Sequence, residues 1–123
     1  MFEILPQSHG RRVALKASGK LTHDDYQWLT PALEARISEV GPLSVLFDME
    51  SFEGWELRAA WDDFLLGLKH LGDFERIALV GDRKWEEIGA RIADHLIKAE
   101  VRFFDVSERD AAWMWIEANS KGR

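Results

Sequence analysis

Two segments, Leu43 to Met49 and Ile77 to Gly81, are apolar at least in part on both of their alternating faces, and each is followed by a long amphipathic stripe. No other feature constrains the fold as much. A strand with two apolar faces belongs inside a sheet that is covered on both sides. Two such strands joined through a helix of a dozen or more residues pair in parallel, through a right-handed crossover.

The stripes supply the helices. Between the two strands, Ala60, Trp61, Phe64, Leu65, Leu68 and Leu71 line one face, with Asp62, Asp63 and Lys69 facing away. After the second strand, Asp82 can cap a third helix that carries Trp85, Ile88, Ile92 and Leu96. Upstream, Phe2 to Leu5 reads as a short strand and Ser8-His9-Gly10-Arg11 as a turn. Arg12 to Ser18, with Val13, Leu15 and Ala17 alternating, then completes a hairpin.

Thr22 with Asp25 three residues on makes a capping-box-like start for a helix bearing Leu29, Leu33 and Ile37. Pro31 interrupts that helix, so a kink is expected, or a restart with Thr30 as cap. Gly41-Pro42 ends it. A last strand, Val101 to Phe104, leads through Ser107 and Asp110 into a helix ending near Ala118. The sequence thus predicts one α/β domain over residues 1–123: a mixed, mostly parallel five-stranded sheet flanked by four helices.

Composition narrows the function. The chain of 123 residues has no cysteine, which removes disulfides, thiolate metal sites and cysteine nucleophiles together. Its formal net charge is -6 with the basic residues dispersed, so neither nucleic acid nor an anionic membrane surface is an expected partner. The opening MFEILPQSHGRR lacks the pattern of a secretion signal, and no apolar run approaches the ~20 residues that span a bilayer, so a cytoplasmic location is expected.

Catalytic and metal-binding patterns do not emerge. His9, His23, His70 and His95 share no ligand spacing, and neither HExxH nor GxSxG occurs; no metal and no cofactor are expected. Asp24-Asp25 and Asp62-Asp63 are adjacent on helices, about 100° apart, and read as solvated faces. Gly81-Asp82-Arg83-Lys84 precedes a helix, but Asp82 as cap puts a negative charge where an anion would bind.

Four lines of the sequence, GKLTHDDYQWLTPALEARI, LFDMESFEGWELRAAWDDF, RIALVGDRKWEEI and VRFFDVSERDAAWMWI, carry a resemblance to the SpoIIAA-like family. That family is related to the STAS domains of anti-sigma-factor antagonists and is often grouped with SEC14-type domains. The resemblance implies a β/α superhelix acting as a regulatory or ligand-binding module, not an enzyme. In the antagonists a phosphorylatable serine opens the helix after the second long strand. Here the corresponding stretch is Glu56-Leu57-Arg58-Ala59, with no hydroxyl, and Ser51 lies several residues too early to take that role.

Ligands in open parallel sheets bind beyond the carboxyl ends of the strands. That edge would collect Lys20, His23, Asp48, Ser51, Trp55, Asp82, Lys84, Trp85 and Asp105. The expected contacts are Ser51, Trp55, Trp61, Asp82 and Trp85, with the indoles forming a wall for a small apolar ligand or an anchor for a protein partner. Trp113 and Trp115, two apart on one helix, must diverge, and an exposed indole beside Met114 would suit a homodimer contact. The alternatives are a SEC14-type carrier enclosing a lipid tail and a hydrolase pairing Asp48 or Asp82 with His23. One prediction follows from the missing hydroxyl. Incubation with a serine kinase that modifies the antagonists should leave residues 50–60 unmodified, and stoichiometric phosphate on Ser51 would overturn the idea.

Overall fold

The strands of the sheet lie side by side in the order of the sequence, β1 to β5. In the computed structural model, residues 1–56, 58–71, 74–95 and 99–118 are described. Strands β1 (Phe2–Ile4) and β2 (Arg12–Leu21) form an antiparallel hairpin. From there β3 (Leu43–Trp55), β4 (Phe74–Gly81) and β5 (Glu100–Asp105) each pair in parallel with the preceding strand. Helices α1 (His23–Val40), α2 (Arg58–Leu71) and α3 (Glu86–His95) make the three crossovers, and α4 (Arg109–Ala118) follows β5. The expected five-stranded mixed sheet with four helices is what forms.

Right-handed crossovers that always step the same way put all their helices on one face. Accordingly Tyr26, Leu29 and Leu33 of α1, Trp61, Phe64 and Leu65 of α2, and Ile88 and Ile92 of α3 share one core with Val13, Leu15, Val45, Phe47, Ile77 and Leu79. The opposite face is left to the last helix: Ala112 and Ile116 of α4 cover Leu46, Ala78, Val80 and Phe104. Beyond the reach of α4 that face carries charge, with Glu3 opposite Lys16 and Lys16 opposite Asp48. Opposite charges on neighbouring strands suit a surface that stays wet.

The local signals held in outline and differed in detail. Thr22 caps α1 in a complete capping box with Asp25, and the Gly41 N–H closes the other end on the Ile37 carbonyl at 2.8 Å. Pro31 does not restart the helix; α1 runs through it without interruption. Pro31 and Gln27, whose carbonyl would have received the missing N–H, are both exposed, so water can take that bond.

Strand β3 extends well past Met49, so Ser51 and Trp55 belong to the strand and not to a loop. Asp82 stands at the cap position of a 3₁₀ turn, Arg83–Trp85, and its side chain makes no capping bond. The tight turn is closed by the Trp85 N–H on the Asp82 carbonyl at 3.0 Å, which delays α3 to Glu86. Before α4 the cap is Asp105, not Ser107. Its carboxylate accepts from the Ser107 N–H at 3.0 Å while Glu108 accepts from the Asp105 N–H at 3.1 Å. A carboxylate is the stronger acceptor, and the 3₁₀ turn that it caps, Val106–Glu108, leads into α4. Among the expected stripe residues, the side chain of Leu71 and the whole of Leu96 lie outside the described residues.

Asp25 is more than part of a solvated face. Its Oδ2 accepts from the Thr22 N–H at 2.8 Å and the Thr22 hydroxyl at 3.1 Å, and the Met1 ammonium stands 3.3 Å away. Partial burial alone would raise its pKa, but the Thr22 N–H, the ammonium and the Thr22 hydroxyl outweigh it and hold the carboxyl below its ordinary 3.8.

Two predictions follow from this packing. Leu46 is fully buried under α4, so Leu46→Asp must desolvate or protonate an unpaired carboxylate and should cost several kcal/mol. A denaturation midpoint equal to wild type would remove Leu46 from the core. Because the folded pKa of Asp25 lies below the unfolded value, its contribution is complete above about pH 3.9 and fades as pH falls through the folded pKa. Asp25→Asn should therefore flatten the acid limb of stability, read as urea midpoints between about pH 2 and pH 6. An unchanged limb would show that Asp25 contributes nothing there.

Candidate functional site

At the carboxyl end of β3 the chain packs four aromatic rings into a continuous path from core to surface. Phe52 and Trp61 are buried, while Trp55 and Trp85 are half-buried. Trp61 meets Trp55 at 5.5 Å between ring centroids, and Trp55 meets Trp85 at 5.9 Å with the planes 83° apart. Phe52 fills the angle between the two outer indoles, at 5.4 Å from Trp55 and 4.7 Å from Trp85. Edge-to-face packing of this kind is the favoured geometry of aromatic quadrupoles.

Backbone freedom makes the arrangement possible. Gly54 has φ +117, in the region that favours glycine, and a Cβ placed there would lie 3.9 Å from Cη2 of Trp85. Trp85 thus lies over the last turn of β3. The Glu56 N–H donates to the Leu21 carbonyl at 2.9 Å and ties the end of β3 to the end of β2. At the other side of the ring, the Lys84 ammonium stands over Trp85, 5.3 Å from its centroid.

The expected site residues separate into those that join this cluster and those that do not. Trp55 and Trp85 do, side by side. Trp61 supports them from beneath but is only 2% exposed, because it lies on the inward stripe of α2; it is not a surface contact. Its indole N–H is buried with no hydrogen-bond partner among the described residues. Ser51 is exposed and registers with Ser18 on β2. It precedes buried Phe52 in extended chain, so it projects away from the aromatic cluster. Asp82 is exposed in the turn that carries Lys84 and Trp85. Phe52 was missed from the sequence because the strand was expected to end at Met49; an apolar residue alternating with polar Ser51 and Glu53 was the available signal.

Asp48 is committed elsewhere. Both of its oxygens accept from the Arg109 guanidinium, at 3.1 and 3.0 Å, and Glu50 accepts from the same nitrogen at 2.9 Å. Asp48 shares the α4 face, whereas His23 opens α1 on the other, so the sheet separates that pair. Asp82 and His23 follow β4 and β2, with β3 between them, roughly 10 Å apart by strand spacing. Among the described residues neither carboxylate forms a hydrogen bond or ion pair with this histidine. Among the described residues no group of three His, Asp or Glu side chains is placed to hold a metal.

Under the aromatic path lies an apolar cavity of about 10 Å³, bounded by Leu21, Phe47, Met49, Phe52, Trp61 and Ile88. That is room for one water-sized sphere, not for an acyl chain. Among the described residues no helix is long and apolar enough to cross a membrane. On α4, Met114 is 70% exposed, while Trp113 and Trp115 are both half-buried. Trp115 is engaged by the guanidiniums of Arg76 and Arg102, at 4.8 and 5.8 Å. Little of that ring remains for another subunit.

A sequential, mostly parallel sheet with three helices on one face and one on the other defines an α/β module covered on both faces. The SpoIIAA-like family profile matches residues 12–117, and the chain belongs to that family. Among solved structures it is similar to an uncharacterised protein of the DUF3478 family with a SpoIIAA-like fold from Shewanella loihica PV-4. The two share 35% identity over 94% of this chain and 92% of the other, with a TM-score of 0.69. It is also similar in fold to the anti-sigma factor antagonist SpoIIAA in its unphosphorylated form, at 12% identity, 90% and 94% coverage and a TM-score of 0.62. No curated protein matches the chain.

Proposed function

We propose that the chain is a non-enzymatic binding module that takes a protein partner at the carboxyl edge of its sheet, with Trp55 and Trp85 as anchors. The observation that carries this reading is the half-buried indole pair, held at 83° by Phe52 beneath it. Large rings fixed in one orientation give contact area without an ordering cost on binding, which is why tryptophan is enriched among interface residues that dominate affinity. The likeness of fold to an anti-sigma factor antagonist supports a regulatory role for such a contact. The departure at Glu56-Leu57-Arg58-Ala59 argues that this role runs without the phosphoserine of that system.

At this edge the carrier alternative is disfavoured by the size of the cavity beneath the rings, about 10 Å³. Affinity capture from the host, with native mass spectrometry of the purified chain, tests both. Wild type should retain a specific protein and no lipid mass. Trp85→Ala should weaken that capture by about 2 kcal/mol or more while leaving the thermal midpoint nearly unchanged. Equal capture by the variant would end the anchoring role, and a co-purified lipid would promote the carrier.

A further inference from the structure

We infer that the Trp55 and Trp85 edge receives a basic side chain, arginine or lysine, from its protein partner, and that Lys84 occupies that place in the unbound chain. The inference rests on the reading of this edge as a partner site and adds the chemistry of what is bound.

The starting point is the cation already there. The Lys84 ammonium lies over the face of Trp85, where the ring quadrupole is negative and attracts positive charge. Lys84 is exposed, and among the described residues no carboxylate pairs with it. The ring is what holds the ammonium, and a contact of that kind at the surface is weak enough to be displaced. A guanidinium would displace it well, since it is planar, more weakly hydrated than an ammonium and stacks on aromatic faces.

The charges around the rings point to the same partner. Glu56, Asp82 and Glu86 are exposed on the segments that bound the cluster, and among the described residues none of them forms an ion pair. Two exposed cations lie nearby, Lys20 in register with Gly54 on β3 and Arg83 beside Lys84, so with Lys84 displaced the carboxylates remain in excess. The net charge of -6 favours encounter with a basic surface. A choline headgroup would also offer a cation, but it brings a phosphate that these carboxylates repel. A protein segment is therefore the better match.

The test follows the indole N–H signals of the full-length chain by NMR, assigned with single Trp→Phe variants. It titrates a capped arginine-containing pentapeptide, the same peptide with neutral citrulline in place of arginine, and phosphatidylcholine vesicles. The signals of Trp55 and Trp85 should move with the arginine peptide and stay in place with the other two. Lys84→Met, which keeps the aliphatic stem of an exposed residue and removes the charge, should tighten the arginine peptide about two- to five-fold. Equal response to citrulline, a larger response to vesicles, or unchanged or weaker binding by Lys84→Met would overturn the inference. If neither peptide moves these indoles while Trp85→Ala still loses the captured partner, the edge remains the partner site and this account of its chemistry fails. If capture survives Trp85→Ala, the edge reading itself fails whatever the peptides do.

Discussion

From β2 onward each strand pairs in parallel with its predecessor and on the same side of it, so the sheet advances in one direction only. Everything else in the structure depends on that pairing. A parallel neighbour cannot be reached by a tight turn; the chain must return to the start of the strand, and the return is a right-handed helix. Three such returns stack α1, α2 and α3 on one face, which consumes the apolar stripes of all three helices and buries one side of β2, β3 and β4. The carboxyl ends of those strands are left in one row, and their junctions are where side chains from distant parts of the sequence can meet.

The opposite face poses a different problem, since α4, a helix of ten residues, has to cover it alone. It does so only where β3, β4 and β5 present Leu46, Ala78, Val80 and Phe104. Elsewhere the sheet protects itself with charge. Glu3, Lys16 and Asp48 occupy successive strands, and Arg109 on α4 forks onto Asp48 and Glu50 at the margin between apolar and wet surface. The guanidinium is partly buried there, which would lower its pKa; bonds to Asp48 and Glu50 more than offset this and keep it charged. An ion pair at such a margin fixes the position of α4 more than it adds stability, because exposed pairs contribute little.

The parts of this design that were legible from residues alone are those that depend on periodicity. Leu43 to Phe47 and Ile77 to Val80 announced central strands because both faces were apolar, and Thr22 with Asp25 announced a helix start because two donors and two acceptors fit only one geometry. What escaped were features decided by tertiary contact. The extension of β3 to Trp55 depends on pairing with Ser18 to Leu21 through two irregular registers, which no local pattern encodes. The survival of α1 through Pro31 depends on the buried anchors Leu29 and Leu33 on either side of it, whose burial outweighs one lost bond. The same holds at the candidate site. Trp55 and Trp85 could be placed on one edge from topology, but the loss of Trp61 to the core and the turning away of Ser51 followed from strand length and helix phase.

The aromatic path also bears on how such an edge can be controlled. In a switch driven by phosphate, a hydroxyl at a helix start gains roughly two negative charges, and the surface around it is remade by the charge. Here α2 opens with Arg58 and Ala59, so no group at that position can accept the phosphate. The surface beside it is not a flexible loop waiting to be ordered. Trp55 and Trp85 pack against Phe52, and Trp61 backs Trp55 from the core, so the pair is held in one orientation. A surface built in this way needs no ordering step before it can meet a partner. What stands exposed above it is the Lys84 ammonium, and on the reading proposed here a partner's cation competes with it for the Trp85 face without a change of fold.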